Sequence, residues 1–283
     1  MEEAIRKADV LIEALPYIKK FHKKVVVIKY GGSILGEEKI RKGVLEDIVF
    51  LNFMGLRSVL VHGGGPNISD RLRQSGVKTE FVNGMRVTDE ATLKVVEEEL
   101  QELNDLIVKE INELGAKASG LNGKNNIIIA EKKKADTDLG LVGHIISINT
   151  EEIMNEFKKD KIAVILPMGK GKDKLVYNVN ADEAASNIAA ALDAEKLVLL
   201  TNVKGIMRNP DDQHSFLSTL TEEEAKSLIE DNIIQQGMIP KVSACFDALD
   251  KGVRKAHVID ARIPHALLLE IFTDQGIGTE IVK

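Results

Sequence analysis

Twice near its start the chain runs from a β-branched stretch straight into consecutive glycines. The first run is Val25-Val26-Val27-Ile28-Lys29-Tyr30-Gly31-Gly32-Ser33, and the second is Val59-Leu60-Val61-His62-Gly63-Gly64-Gly65-Pro66-Asn67. Short apolar runs of this kind predict buried strands. Glycine at a strand end lets backbone N–H groups approach an anion that a side chain would hold off. A helix starting just after the turn adds partial positive charge. Two such turns at neighbouring strand ends can hold a phosphate between them, with Lys29 as a charged donor beside it. Neither turn reads GxGxxG or GxxxxGK[ST], and a single Gly-Gly after a strand is ordinarily a tight turn. The informative unit is the pair together with the lysine, and it points to phosphoryl transfer.

The rest of the chain alternates in the same way. Apolar runs at 25–29, 57–61, 126–130, 162–166, 196–201 and 256–260 are separated by helical spacing at 37–54, 67–75, 89–114, 150–159, 182–193, 221–230 and 240–251. This predicts an α/β fold, a three-layer αβα sandwich with a mainly parallel central sheet. Segment 131–148 is polar at first and then reads as a hairpin around Gly140-Leu141-Val142-Gly143, at the edge of a lobe. Lysines 132–134 read as a solvated turn. Residues 3–21 form an amphipathic helix with Ile5, Ala8, Leu11, Ile12, Leu15 and Ile18 on one face. It precedes the first core strand, so it packs on its own domain or pairs with another subunit. The expected division is an extension at 1–24, a lobe at 25–178 and a second lobe at 179–283.

Composition narrows the partners. Acidic and basic residues are interspersed at a net charge of −6, which disfavours nucleic acid or a membrane surface. No apolar run is long enough to span a membrane, and the acidic start is neither a signal nor a transit peptide. Cys245 is the only cysteine, which excludes disulfides and cysteine metal clusters and fits a reducing cytoplasm. Its helical surroundings suit a small core residue.

Four further segments carry polar groups in suggestive places. Asn83-Gly84-Met85-Arg86-Val87-Thr88-Asp89 sets an arginine in a glycine turn before a helix capped by Thr88 or Asp89. Such a guanidinium can grip a carboxylate with two hydrogen bonds, or can be a plain surface arginine. Tyr177-Asn178-Val179-Asn180-Ala181-Asp182 opens an alanine-rich helix with more amide and carboxylate groups than a cap requires. Gly237-Met238-Ile239-Pro240-Lys241 puts a lysine at the positive end of a helix, where a bound anion explains it better than stability does. Thr201-Asn202-Val203-Lys204-Gly205 leaves a strand end, where parallel sheets bind ligands.

In this order these motifs, with His265-Ala266-Leu267-Leu268-Leu269-Glu270-Ile271-Phe272 near the end, resemble the amino-acid kinase family over essentially the whole chain. Within the family the resemblance is to the branch that phosphorylates the side-chain carboxylate of N-acetyl-L-glutamate in arginine biosynthesis. It implies ATP as donor, with Mg²⁺ on the ATP phosphates and no protein metal cage. The acceptor, with a pKa of about 4.3, is already ionised and needs no general base. Catalysis then consists of positioning and charge neutralisation. The resemblance assigns Lys29 and Lys241 to flank the transferring phosphoryl group and Asp182 to hold both ammonium groups. It assigns Arg86 and Asn178 to the substrate α-carboxylate and the N–H groups of Gly64 and Gly65 to the acceptor side. Gly31, Gly32, Thr201, Asn202 and Gly205 fall to the nucleotide.

Arginine-inhibited, hexameric members of the family, built as trimers of dimers, carry such an N-terminal helix and shorter, dimeric members lack it; the plain alternative is a helix that only assembles the oligomer. The resemblance therefore implies a homo-oligomer with L-arginine bound between that helix and the C-terminal lobe, near Lys196, Glu270, Gly276 and Gly278. The family also includes members that bind a PII-type signalling protein, for which no residue here speaks. The chain departs from the family pattern at Asn202, Gln236 and Ala261, and in an acidic helix around 97–104 that is one residue short. The rival readings are a sibling kinase for a carrier-linked aminoadipate and a catalytically silent sensor of acetylglutamate or arginine.

Overall fold

The computed structural model describes residues 1–283 apart from Asn83, Pro210, Asp211, Gln213, His214, Gln236, Asp274 and Gln275, and apart from the side chains of Lys7, Ser33 and Lys124. Gln236, one of the departures, thus lies outside the described residues. The chain begins with α1 (Glu2–Phe21), followed by β1 (Val25–Tyr30), α2 (Gly32–Leu35), α3 (Glu38–Phe53), β2 (Arg57–His62) and α4 (Gly65–Gln74). A small hairpin, β3 (Phe81–Val82) and β4 (Met85–Arg86), leads to α5 (Glu90–Glu113) and β5 (Lys117–Leu121). Next come β6 (Ile128–Lys132), β7 (Gly143–Ile148), α6 (Glu151–Lys158), β8 (Lys161–Ile165), β9 (Met168–Lys170), β10 (Val176–Asn178) and α7 (Ala181–Ala191). The last part holds β11 (Lys196–Thr201), β12 (Ile206–Met207), β13 (Phe216–Leu217), β14 (Thr219–Thr221), α8 (Glu222–Glu230), α9 (Ile239–Asp250), β15 (Ala256–Asp260), α10 (Ala266–Phe272) and β16 (Thr279–Val282).

The central sheet runs β14-β16-β15-β11-β1-β2-β8-β5, and β15 with β16 is its antiparallel pair. Strands from 25–178 form one half and strands from 179–283 the other, meeting where β1 pairs with β11. Alternate side chains feed two cores, because successive Cβ atoms point to opposite faces. Val25, Val27, Val59, Val61, Leu197 and Leu199 meet Ala185 and Ile188 of α7 and Val242 and Cys245 of α9. Val26, Ile28, Leu60, Val198 and Leu200 meet Leu45 and Ile48 of α3, Ile107 of α5 and Leu267 of α10. Cys245 is a buried core residue, as expected from its helix, and burial pushes its thiol up out of the reactive range.

The apolar run at 126–130 is a strand, as expected, and β6 lies in a separate sheet ordered β10-β9-β6-β7. One expectation needs correction. The hairpin around 140–143 is wider than expected: β6 and β7 are its arms, and Gly143 is already paired with Lys132. Helix α1 touches the body near its C-terminal end, where Phe21 is buried and Tyr17 meets Phe272 edge-on at 6.3 Å. Ile5, Val10, Leu11, Ile12 and Leu15 are exposed. Among the described residues no helix is long and apolar enough to cross a membrane.

Candidate active site

The register of β1 against β2 puts Tyr30 opposite His62, so the two glycine turns leave the sheet side by side. The Gly63 N–H donates to the Tyr30 carbonyl at 3.0 Å, tying one turn to the other. Lys29, the last residue but one of β1, points along the same edge and is buried. Two helices bring its partners. Asn180 caps α7, accepting from the N–H groups of Asp182 at 2.8 Å and Glu183 at 3.0 Å, which fixes Asp182 in the first turn. Pro240 stands second in α9 and leaves Lys241 in the same first turn. The Asp182 carboxylate meets the Lys29 ammonium at 2.8 Å and the Lys241 ammonium at 2.8 Å.

This triad explains its own ionisation. Burial alone would raise the Asp182 pKa, but the two flanking ammonium groups outweigh it and hold the carboxyl at about 2. Burial lowers the pKa of Lys29 and Asp182 only partly offsets it, with Lys241 adding to the lowering. Two cations thus share one carboxylate at the positive end of a helix, and that arrangement favours a further anion.

A cleft of about 270 Å³ opens beside Lys29, over Gly64 and Gly65 and past Arg86 and Asn178. It continues along Asn180 and Asp182 to Gly237 and Lys241. Arg86, at the end of β4, is 7 % exposed. One of its nitrogens donates to the Gly65 carbonyl at 3.0 Å and to Ser69 Oγ at 2.8 Å, while Nη1 is buried with no partner among the described residues. The Phe81 ring lies 4.7 Å from the guanidinium carbon. No carboxylate among the described residues pairs with Arg86, and burial lowers its pKa. Asn178 donates to Thr88 Oγ1 at 3.2 Å, and that hydroxyl donates to the Arg86 carbonyl at 2.8 Å. The helix cap itself is Asp89, which frees Thr88 to bridge the two predicted residues. The chain at Gly140 passes so close to the Thr88 carbonyl, with a φ of 69°, that a side chain there would collide with it.

Sequence reasoning missed Thr88 in this role, and it missed Lys133 and Glu183. Lys133, expected in a solvated turn, lines the cleft and meets Glu183 at 3.4 Å; Glu183 also faces His144 at 3.5 Å. Their signal was only the polar loop and the acidic pair at 182–183. Gly31 caps α2, and a Cβ there would approach the Leu200 carbonyl to 3.1 Å and Lys29 Nζ to 3.5 Å. Gly32 opens α2. Thr201, Asn202 and Gly205 stand at the end of β11, away from the cleft lining. The Thr201 hydroxyl is occupied by the turn, within 3.2 Å of the Val203 N–H, and Asn202 is exposed. Ala261 is buried and its N–H donates to the Thr201 carbonyl at 2.9 Å.

A second cleft, of about 250 Å³, lies between α1 and the end of the chain. Lys196, Glu270, Gly276 and Gly278 all line it, with Tyr17 and Lys20 of α1. Glu270 is fully engaged: Lys196 Nζ and His257 Nε2 lie 3.0 Å from one oxygen, and the N–H groups of Ile277 and Gly278 donate to the other. Burial and then the Lys196 charge push His257 down, so its ring is neutral.

Comparison with known proteins agrees with this geometry. A family model described as the amino acid kinase family matches residues 24–260. A relative from Petrotoga mobilis, described as acetylglutamate kinase, is 50 % identical over 99 % of this chain and 95 % of its own. A second, from Thermoanaerobacter pseudethanolicus and described in the same words, has the same identity and coverage. Among solved structures, N-acetylglutamate synthase from Neisseria gonorrhoeae, complexed with coenzyme A and N-acetyl-glutamate, superposes with a TM-score of 0.87 at 27 % identity. This chain spans 63 % of the length of that synthase. Carbamate kinase from Giardia lamblia shares the fold, with a TM-score of 0.66 at 16 % identity. Paired glycine turns and two lysines bridged by one carboxylate thus sit inside a match that runs from β1 to the end of β15, and the chain belongs to the amino acid kinase family.

Proposed function

We infer that the chain is an acetylglutamate kinase, transferring the γ-phosphoryl group of ATP to the side-chain carboxylate of N-acetyl-L-glutamate. The observation that carries this is the charge of the cleft: Lys29, Arg86, Lys133 and Lys241 stand against only Asp182 and Glu183. A dicarboxylate with no positive charge of its own matches that excess; free glutamate, with its ammonium group, matches it less well. Arg86, lacking a carboxylate, and Asn178, tied to it through Thr88, take the α-carboxylate. The acceptor carboxylate then lies toward Gly64 and Gly65, whose N–H groups have no partner among the described residues. Lys29 and Lys241 neutralise the charge that develops between acceptor and donor, and Asp182 keeps both ammonium groups in position. Mg²⁺ screens the ATP phosphates when bound. Among the described residues no group of three His, Cys, Asp or Glu side chains is placed to hold a metal, while the two lysines suit phosphate oxygens. The halves of the sheet on either side of the β1–β11 pair serve acceptor and nucleotide respectively, with Gly31, Gly32, Thr201, Asn202 and Gly205 on the nucleotide side.

The enzyme acts in the cytoplasm in arginine synthesis, and L-arginine inhibits it from the second cleft. Support comes from the position of that cleft between α1 and the C-terminal strands. Further support comes from the same Neisseria synthase, which has also been crystallised with L-arginine. A guanidinium at Glu270 has to share the carboxylate with Lys196. The exposed apolar face of α1 supports a homo-oligomer assembled through that helix. The decisive assay traps acyl phosphate with hydroxylamine from ATP, Mg²⁺ and N-acetyl-L-glutamate, with and without L-arginine. Acetylglutamate-dependent product supports the kinase reading. Its absence, with the substrate still bound, turns the reading to a silent sensor, and product only with an aminoadipate acceptor turns it to a sibling kinase.

A further inference from the structure

Beneath the second glycine turn lies a buried polar pair that the mechanism above does not use. His62, the last residue of β2, and Asn104, on α5, are both fully buried. Asn104 Nδ2 lies 3.0 Å from the Val164 carbonyl and 3.1 Å from His62 Nε2. The other ring nitrogen, Nδ1, lies 3.2 Å from the carbonyl oxygen of Gly63. A substituent at Gly120 would run into Asn104 Oδ1, so the glycine of β5 leaves the amide its room.

These contacts fix where the ring proton sits. A carbonyl only accepts, so the Asn104 amide nitrogen, and not its oxygen, faces Val164. The same nitrogen therefore donates to Nε2, which must be unprotonated. The proton is on Nδ1 and is donated to the Gly63 carbonyl. Burial lowers the His62 pKa to about 4, so the ring is neutral and supplies no proton at physiological pH.

The Gly63 carbonyl and the Gly64 N–H belong to one trans peptide and point in opposite directions. Holding the carbonyl on the ring turns the N–H the other way, toward the cleft that Gly63 and Gly64 line. From α5, Leu100 and Leu103 close on the same residue: a Cβ at Gly64 would lie 2.9 Å and 3.1 Å from them. We propose that His62, fixed in its Nδ1–H tautomer by Asn104, is a positioning residue that aims the Gly64 N–H at the acceptor carboxylate. The role rests on the kinase reading; the tautomer does not.

The test therefore has two arms. Nitrogen NMR of the histidine-labelled protein assigns the His62 signals by their loss in His62→Asn. The expected result is a neutral Nδ1–H ring that does not titrate between about pH 5.5 and 8. An Nε2–H ring, or one that titrates in that range, overturns the proposal whatever the enzyme does. In kinetics, His62→Leu removes the donor, while His62→Asn keeps an amide N–H near the place of Nδ1. With melting curves confirming both folds, His62→Leu lowers kcat by about 10²-fold, the scale of a lost oxyanion donor. Its ATP KM stays unchanged, and His62→Asn recovers most of the loss. Should His62→Leu not fold, Asn104→Leu replaces it, with an Nε2–H population and a lowered kcat expected together. Equal kcat in folded Leu and Asn variants overturns the proposal. Absence of acyl phosphate from the unmodified protein overturns the kinase reading instead.

Discussion

Asp182 is the residue on which the site turns, because it alone keeps two ammonium groups together in a buried place. Asp182→Asn leaves them facing each other without a counter-charge. Lys29 is already lowered by burial, and Asp182 is what opposes that lowering. The sign follows directly: without Asp182 the Lys29 pKa falls further, so the protonated form is lost at a lower pH. A pH–kcat profile of Asp182→Asn is expected to show about 10²-fold less activity at neutral pH and an alkaline limb moved to lower pH. An unmoved limb would separate Lys29 from catalysis. The residues of this triad were legible as single oddities, a lysine beside a glycine turn and a lysine at the wrong end of a helix. Their meeting was implied only by the family resemblance, since no local pattern shows that Lys29 on β1 and Lys241 on α9 reach Asp182 through the packing of α7 between sheet and helix. Thr88 and His62 were less legible still. Each sits in a motif that has a sufficient local explanation, a cap or a strand end.

Among the elements, α7 couples stability to chemistry through its cap. Asn180→Ala removes the side chain that accepts from two N–H groups and is expected to cost about 1 kcal/mol. Thr221→Ala, in the capping box of α8, serves as its control, with a similar loss of stability. Only Asn180→Ala also lowers kcat, because its cap holds Asp182; equal kcat in the two variants would show that the cap is merely structural. The elements found from sequence were those with a long periodic signal, such as α3, α5, α7, α9 and the central strands. Strand β5, Lys-Ala-Ser-Gly-Leu, was missed because it is an edge strand with no β-branched residue, and its place is fixed by pairing with β8. Strands β3 and β4 span two residues each, too few for any alternation to register. Strand β6 was recognised as a strand, but an apolar run carries no information about its neighbours and so did not show which sheet takes it.

For the molecule as a whole, the alternation of strand and helix was enough to predict a mainly parallel sheet covered on both faces. The turn pair was enough to predict two glycine turns at neighbouring strand ends, which leave the sheet side by side. Stability across the sheet has an acid-sensitive anchor in Glu156 of α6. Burial pushes its pKa up, but Lys159, Ser119 and Lys161 outweigh burial and hold it at about 2. A carboxyl lowered on folding contributes stability above its ordinary value near 4.5 and loses it as the pH falls toward the folded value. Denaturant melts are expected to show Glu156→Gln closest to the unmodified protein near pH 2 and furthest from it above pH 5. A constant gap would remove the linkage. The extension is testable at the same scale. Deleting residues 2–20 is expected to leave the sheet folded, reduce the oligomer on sizing and abolish arginine inhibition; a variant that keeps both would make α1 an ornament of its own subunit.

Arg86 carries a consequence for heat as well as for binding. A guanidinium withdrawn from water with one nitrogen unanswered is a standing liability of the empty protein. Arg86→Met, which keeps the bulk under Phe81 and discards the charge, is expected to melt no lower than the parent and to gain up to about 1 kcal/mol, or about 2–4 °C. N-acetyl-L-glutamate should lift the melting point of the parent and leave that of the variant where it was. A large drop in the variant's melting point without ligand would mean that Arg86 is a strut after all. The outcome expected here makes the sturdier protein the one that can no longer recognise its substrate.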